Sequence, residues 1–411
     1  MRWKNMYDVI VVGARCAGSP LAMLLARKGY RVLVVDKAAF PSDTVSTHHI
    51  HQPGVARLKR WGLVEKIKAS NCPATTTFKF DIGPFALTGS PPAIDGNREA
   101  YAPRRRFLDK ILADAAVEAG AELREQFIVE ELTTENGRVT GIRGRDQNGN
   151  TVTEKATIVV GADGARSFVA RAVEAPIYED RGTLTCNYYS YWSGIPNNTT
   201  GLYVRERRMF VVDSTNDGLT MIVGVFPKSE FNRIRSNVEA EFIREVETHV
   251  PSLAMLIRNG KREEKFVGSG VLPNFIRKPF GAGWALVGDA GYHKDPITAQ
   301  GITDALRDAE FLAGAIDSGL SGNLRLEDAL AVYERKRNQA VMPMFEMTCD
   351  LARLQPPTPE MQQLFGALRG NQRQTDRFLG VVAGTVPVNE FYSPENIEQI
   401  LTQSYPEALA A

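Results

Sequence analysis

Three short segments, far apart in the chain, carry residue types suited to holding a phosphate-bearing dinucleotide. The first is Gly13-Ala14-Arg15-Cys16-Ala17-Gly18. Gly13 is placed to make a tight turn, and Gly18 lets the following helix pack closely on the preceding strand. The helix N-terminus then offers free N–H groups and the positive end of its dipole to a pyrophosphate. Arg15 stands where a glycine normally lets the phosphates approach the backbone. Either its side chain turns outward or its guanidinium joins the phosphates. Asp36, with Lys37 beside it, falls about twenty residues beyond the turn, where an acidic group grips ribose hydroxyls.

The second segment is Gly161-Ala162-Asp163-Gly164-Ala165-Arg166-Ser167. By itself it reads most simply as a strand-to-helix turn with Asp163 capping the helix. The third is Gly288-Asp289-Ala290-Gly291, followed by Pro296 and by Gln300-Gly301. An acidic side chain at a strand end can hydrogen-bond a polyol, and a helix starting near Gly301 points its dipole at whatever lies before it.

Acid–base chemistry has fewer candidates. Three of the five histidines, His48, His49 and His51, fall in Asp43–His51, and His293 lies just after the third segment. Histidine titrates near neutral pH and can shuttle protons, although a hydrogen-bonded structural role is the simpler reading for any one of them. Lys79, in Phe78-Lys79-Phe80, reads as the exposed residue of an alternating strand. Cys16, Cys72, Cys186 and Cys349 are widely spaced with no C-x-x-C pair, so neither a metal site nor a disulfide framework is expected.

These residues need elements to position them. Tyr7–Val12 and Arg31–Asp36 are short, β-branched apolar runs of the kind that form buried parallel strands, with an apolar helical pattern between them that stops at Gly29. That is a βαβ unit. Gly54–Ile67 has helical spacing, Phe78–Leu87 reads as two strands around Gly83-Pro84, and Leu108, Ile111, Leu112, Ala115 and Ala119 line one helix face. Strands follow from Glu122 to Val160, with a hairpin at Asn148-Gly149, and again from Leu184 to Phe226, with a hairpin at Asp217-Gly218. Val238–Val250 reads as a helix stopped by Pro251, Trp284–Asp289 as a buried strand, and Gly301–Ile316 as a long helix. Beyond Leu326 the pattern is helical, broken at Pro356-Pro357-Thr358-Pro359.

The composition is permissive. With 411 residues, 43% of them hydrophobic, the chain can bury a large core and form two or more packed units. A formal net charge of +1 gives no field that would favour nucleic acid. No apolar run approaches the roughly 18 residues that span a bilayer, and Met1–Met6 is too short and polar for a signal peptide, so a cytoplasmic protein without stable membrane insertion is expected.

The order and separation of the three segments resemble those of the single-component FAD-dependent aromatic monooxygenases, the para-hydroxybenzoate hydroxylase fold, which is related to flavin-dependent halogenases and geranylgeranyl reductases. The resemblance runs from about Tyr7 to Arg337. It implies an α/β protein with a discontinuous Rossmann-type FAD-binding domain (1–75, 98–175 and 265–325), an antiparallel-sheet substrate domain (76–97 and 176–264) and C-terminal helices (326–411). It also implies non-covalent FAD. The turn Gly13, Ala14, Arg15 and Gly18 holds the ADP half with Asp36 and Lys37; Val129 meets the adenine; Arg105, flanked by Arg104 and Arg106, reaches the cofactor unless all three simply solvate a helix start. Asp163 and Gly164 serve both FAD and the nicotinamide cofactor, and Gly288 and Asp289 hold the ribityl chain. The flavin ring lies against Pro296 and the Thr298–Gly301 backbone, with Asp43–His51 approaching from the other side. This places His48, His49, His293 and Pro296 at the reacting end.

The activity implied is NAD(P)H- and O2-dependent hydroxylation or epoxidation of a small, aromatic, organic substrate through a C4a-hydroperoxyflavin. With one dinucleotide fingerprint in the chain, NAD(P)H must bind transiently beside FAD, or a partner flavin reductase must supply the electrons. Three alternatives share the fold: a geranylgeranyl-reductase-like reduction of double bonds, a flavin-dependent halogenase, and an FAD-binding protein without catalysis. Lys79 falls at a suggestive place for a halogenase, but Tyr191-Trp192-Ser193-Gly194-Ile195-Pro196 departs from the W-x-W-x-I-P motif of those enzymes. Phe210, Phe226 and Phe231 read as substrate-pocket walls or as plain core.

Overall fold

The computed structural model describes residues 6–403. Met1 to Asn5 and the residues after Gln403, at the outer ends of the 1–75 and 326–411 segments, lie outside the described residues.

The apolar runs form the middle of a parallel sheet. Tyr7–Val12 pairs in parallel with Val32–Val35 on one side and with Thr151–Gly161 on the other. Trp284–Leu286 extends the sheet beyond Thr151–Gly161, and Glu122–Arg124 extends it beyond Val32–Val35, both in parallel. Val9, Ile10 and Val11 are fully buried because both faces are covered. One face carries the helices Gly18–Ala26, Arg105–Glu118 and Gly301–Leu320, packed through Leu21, Leu25, Leu108, Leu112 and Leu306. Phe127, Leu132, Val139, Ile142 and Val169 cover the other. Because the strands are parallel, the turns after Val12, Val35, Gly161 and Leu286 all emerge at one sheet edge. That is the edge where open α/β sheets bind ligands.

The second large sheet runs in the order Lys261–Arg262, Thr185–Ser193, Thr220–Pro227, Arg208–Ser214, Thr200–Arg205, Phe78–Asp81, Ala86–Gly89. It is antiparallel except at one seam, where Thr200–Arg205 pairs with Phe78–Asp81 in parallel, Thr200 opposite Phe78. The expected all-antiparallel sheet is therefore mixed, since a distant segment (residues 78–81) inserts beside the middle strands. Both faces are covered. Val238–His249 and Pro251–Asn259 pack on one through Phe242, Val246 and Leu253. The C-terminal helices Pro359–Arg369 and Gln372–Ala383 pack on the other through Leu364, Leu368, Phe378 and Leu379. Phe210 and Phe226 are fully buried core on the first of these faces, ring to ring with Phe242, and Phe231 packs on Tyr188. They do not line the large cleft.

Two local readings sharpen. The helical pattern of Gly54–Ile67 is two helices, Gln52–Arg60 and Val64–Ala69. Pro251 ends one helix and also opens the next, at a position where its missing N–H costs nothing. A three-stranded sheet of Ile177–Thr183, Pro273–Arg277 and Tyr292–His293 holds the chain just after the third glycine segment. Among the described residues no helix is long and apolar enough to cross a membrane.

Candidate functional site

A cleft of about 570 Å³ opens at the C-terminal ends of the parallel strands, and it brings the three segments together. Gly13, Arg15, Asp36, Lys37, Arg105, Val129, Asp163, Gly164, Asp289, His293, Pro296 and Gly301 all line it. Ala14, Gly18 and Gly288 do not line it. They sit behind its wall and shape it.

The reasons are steric. Gly13 has φ +109°, and a Cβ there would stand 2.4 Å from the Ala162 carbonyl oxygen, so the first and second segments touch through bare backbone. A Cβ on Gly18 would lie 1.8 Å from the Gly13 carbonyl oxygen. A Cβ on Gly288 would lie 2.7 Å from that of Ala17, which ties the third segment to the first. Gly164 and Gly301 differ: a Cβ on either would meet nothing within 4 Å. Both leave space on the cleft side, which is what backbone approached by a ligand looks like.

Asp36 fixes the turn. Its Oδ2 accepts from the Ala14 N–H at 2.7 Å and its Oδ1 from the Ala38 N–H at 2.8 Å, which leaves lone pairs for ribose hydroxyls. Arg15 does not turn to solvent. Its guanidinium pairs with Asp109 and donates to Ser42 Oγ at 3.0 Å. Arg105 pairs with the same carboxylate at 2.9 Å. Asp109 is fully buried. Two guanidinium groups against one carboxylate leave a net positive charge on the cleft wall, which suits a phosphate. Asp289 is near enough for its charge to act on Arg105. The three neighbouring arginines are thereby distinguished. Arg104 pairs with Asp43 and Glu264, Arg106 pairs with Asp217 at the surface, and Arg105 alone of the three faces the cleft.

Asp163 does two things. Its Oδ2 accepts from the N–H groups of Phe168 (2.6 Å) and Val169 (3.2 Å), so it caps the short helix Phe168–Ala172 together with Ser167. Its Oδ1 is buried without a partner, and burial pushes the carboxyl up. An unpaired oxygen in the wall of a dinucleotide-sized cleft is the atom a ligand hydroxyl would satisfy.

Past Pro296 the cleft adjoins a second, partly enclosed cavity of about 20 Å³. Thr47, Asn187 and Pro296 line both. His49, His51, Thr200, Asp213 and residues 297–299 line the small cavity together with Phe78, Leu202 and several valines. His49 Nδ1 lies 2.7 Å from Asp213 Oδ2, and Asp213 Oδ1 accepts from Thr200 Oγ1 at 2.8 Å. His51 Nε2 donates to the Thr298 carbonyl at 3.0 Å, and the two imidazoles are 4.4 Å apart. Burial, and His49 beside it, hold His51 well below the ordinary histidine range. Ala299 takes a left-handed conformation, φ +52°, a strained backbone at the loop shared by the two spaces.

His48 is in neither cavity. Its Nε2 meets the Tyr191 hydroxyl at 2.5 Å. Burial, reinforced by Arg105 and Arg104 and opposed by Asp43, holds its imidazole down at about 3, so it stays neutral near pH 7. His293 lines the large cleft with Nδ1 on the Pro273 carbonyl. Lys294 lines it too, paired to Asp304 in the interior. Lys79 lines neither space: it pairs with Asp81 at 3.2 Å and sits over the Tyr203 ring. All four cysteines are buried and free.

Sequence reading passed over Asp109, Asn187 and Asp213. Asp109 had a signal, a carboxylate on the apolar face of an amphipathic helix four residues from Arg105. Asp213 had none, since its partner His49 is 164 residues away.

Comparisons with known proteins give the family and the fold. A family model described as "FAD binding domain" matches residues 6–348. A digeranylgeranylglycerophospholipid reductase of Methanocella arvoryzae is 27% identical over 357 residues, covering 82% of this chain and 84% of that protein. Among solved structures, the flavin-dependent brominase Bmp2 superposes with a TM-score of 0.81 at 17% identity, covering 99% of this chain and 100% of that one. PqsL, described as a probable FAD-dependent monooxygenase from Pseudomonas aeruginosa, does so with a TM-score of 0.69 at 20% identity, covering 92% and 99%.

Proposed function

The chain belongs to the FAD-binding-domain family, and from that premise we propose that it is an FAD-dependent monooxygenase that uses NAD(P)H and O2 to hydroxylate or epoxidise a small, aromatic substrate. One observation carries the reading. The cofactor-sized cleft adjoins, past Pro296, a small, partly enclosed and mostly apolar cavity that holds a buried histidine–aspartate pair, polar groups placed beside one end of the cleft. The division of the chain into a cofactor-holding part (1–75, 98–175 and 265–325), a substrate part (76–97 and 176–264) and C-terminal helices (326–411) belongs to the same reading, as does a cytoplasmic location.

Bound FAD supplies the relay of electrons from NAD(P)H to O2. The chain's own residues bind, orient and enclose. Arg15 and Arg105, with one charge in excess over Asp109, hold the pyrophosphate. Asp36, with Lys37, takes the ribose, and Val129 abuts the adenine. Asp163 Oδ1 and Asp289 accept from hydroxyls along the cofactor chain. The Gly301–Leu320 helix, whose first residue lines the cleft, would offer its N-terminal N–H groups and dipole to a negatively charged part of the bound cofactor. Thr44–Thr47 forms the facing wall and excludes water from the reacting end.

The similarity to curated isoprenoid reductases favours a second reading, reduction of a carbon–carbon double bond. Purified protein should be yellow, and NAD(P)H-dependent oxygen uptake across an aromatic panel decides between the two. Substrate-dependent oxygen consumption supports the oxygenase. Anaerobic flavin oxidation by an alkene, without oxygen uptake, supports the reductase. Turnover that requires halide identifies a halogenase, a role for which Lys79 is poorly placed. Bound FAD with no turnover from any electron donor, a flavin reductase included, leaves a binding protein.

A further inference from the structure

Lys294 carries a cation almost out of reach of water, its side chain 3% exposed. It stands between Asp289 and Pro296 in the chain, and its Nζ donates to Asp304 Oδ2 in the first turn of the Gly301–Leu320 helix. An ammonium has three N–H donors. Asp304 takes one, and among the described residues no protein acceptor takes the other two. Asp304 in turn is not held by Lys294 alone. Arg307 Nη1 donates to its other oxygen at 2.7 Å. Burial pushes the Asp304 carboxyl up, but Lys294 and Arg307 outweigh burial and hold it down at about 2. A buried ion pair is a weak source of stability, because desolvating both charges costs about as much as their attraction contributes. Fold stability therefore gives little reason for a lysine at this position.

The pair has a direction. Lys294 lines both the large cleft and a space of about 10 Å³ behind it, whereas Asp304 lines only the space behind. The positive end thus faces the cleft and the negative end the interior. The Gly301–Leu320 helix is oriented alike, since its first residue lines the cleft and helix N-termini are the positive ends of their dipoles. This cationic wall is separate from the Arg15–Arg105 pair, which belongs to the first glycine segment and to the Arg105–Glu118 helix.

We propose that Lys294 tunes the redox balance of the cofactor: its two free N–H donors meet the negative charge that the flavin gains on reduction, and Asp304 positions the ammonium for that contact. The chain then binds reduced FAD more tightly than oxidised FAD. This rests on the reading of the cleft as an FAD site with the ring toward Pro296. The balance is simple. A flavin that takes up two electrons and one proton, as one hydride from NAD(P)H delivers, ends with one negative charge. With a second proton it ends neutral. A fixed cation with unused donors favours the charged product, and favours it most where water is excluded.

The test reduces holoenzyme with dithionite, water supplying the proton, beside a reference dye that reports the midpoint potential of the bound flavin against that of free FAD. Wild type is expected above free FAD. Lys294→Met should lose about tenfold in its preference for the reduced form, a fall of about 30 mV for two electrons, while its affinity for oxidised FAD changes less. Asp304→Asn removes the negative charge behind the ammonium and should shift the potential upward. A second titration, of FAD-free protein with ADP, separates the flavin ring from the phosphates: Lys294→Met should bind ADP as wild type does. Four results overturn the proposal: an unchanged potential in a Lys294→Met protein that holds FAD, equal losses for oxidised and reduced FAD, a loss for ADP as large as for FAD, or shifts of the same sign in the two variants. A wild-type potential at or below that of free FAD overturns it without any variant, so a variant that fails to fold leaves the question decidable. No readout needs O2 or a substrate. A raised potential that depends on Lys294, without oxygen uptake, sinks the oxygenase alone, and oxygen uptake with a potential indifferent to Lys294 sinks this role alone. Protein that binds no FAD sinks both.

Discussion

The Arg15 guanidinium is paired with the carboxylate of Asp109, 94 positions further along the chain. Arg15 occupies the place where backbone alone usually meets phosphate, and the helix that carries Asp109 supplies the anchor that keeps its charge at the cleft wall. Arg15→Ala should weaken FAD binding by about ten- to a hundredfold, the loss of one charge-assisted contact. Asp109→Asn should lower the stability of the FAD-free protein by about 1–3 kcal/mol, because two part-buried guanidinium groups lose their shared, fully buried carboxylate. Isothermal titration with FAD checks the first, and urea unfolding checks the second. An Arg15→Ala protein with unchanged affinity would remove Arg15 from the cofactor site.

Gly18 and Gly301 should respond in opposite ways to the same added methyl group. At Gly18 the Cβ meets the Gly13 carbonyl, so Gly18→Ala is expected to give little folded protein. At Gly301 the Cβ meets no protein atom within 4 Å. Gly301→Ala should match or exceed wild-type stability by up to about 1 kcal/mol, since alanine is the better helix former. Its flavin affinity should nonetheless fall, because the methyl group fills space at the cleft. Thermal melts of FAD-free protein beside FAD titrations separate the two effects. A Gly301→Ala protein that binds flavin normally places the cofactor elsewhere.

Asp289→Ala should release flavin more readily, by about tenfold or more in Kd, on losing a charged acceptor for cofactor hydroxyls. The readout is the absorbance ratio of flavin to protein after gel filtration. A folded, fully yellow variant contradicts the role given to the third glycine segment.

Asp295 makes stability depend on pH. Burial, opposed chiefly by the Thr185 hydroxyl, pushes its carboxyl up from 3.8 to about 6. Between those values the folded protein keeps a proton that the unfolded chain releases. The contribution to stability is therefore greatest below pH 3.8 and declines as pH rises through about 6, by about 2–3 kcal/mol in all. Asp295 also caps the turn at Pro296–Thr298, accepting from the Ile297 N–H. Asparagine caps as well and does not ionise, so Asp295→Asn should gain about 1–3 kcal/mol over wild type at pH 8 and nothing near pH 4. Urea unfolding at the two pH values is the check, and parallel pH profiles for the two proteins would rule the assignment out.

Local sequence determined the strands Tyr7–Val12 and Val32–Val35, the turns at Gly13 and Gly288, and the Arg105–Glu118 and Gly301–Leu320 helices. Short-range sterics and periodic burial dictate these regardless of what packs later. The convergence of the three glycine segments was implied by the family resemblance that their order and separation carry, and the parallel strands account for it by putting their outgoing turns at one edge. Tertiary structure alone decided which of Arg104, Arg105 and Arg106 faces the cleft, and that Arg15 and Arg105 share Asp109. It alone set Phe78–Asp81 beside Thr200–Arg205, and brought His49 to Asp213 across 164 residues. The physical reason is range. Backbone preference and amphipathic period act over a few residues, whereas the partner of a buried charge is fixed by which chains happen to meet once the apolar surfaces have closed.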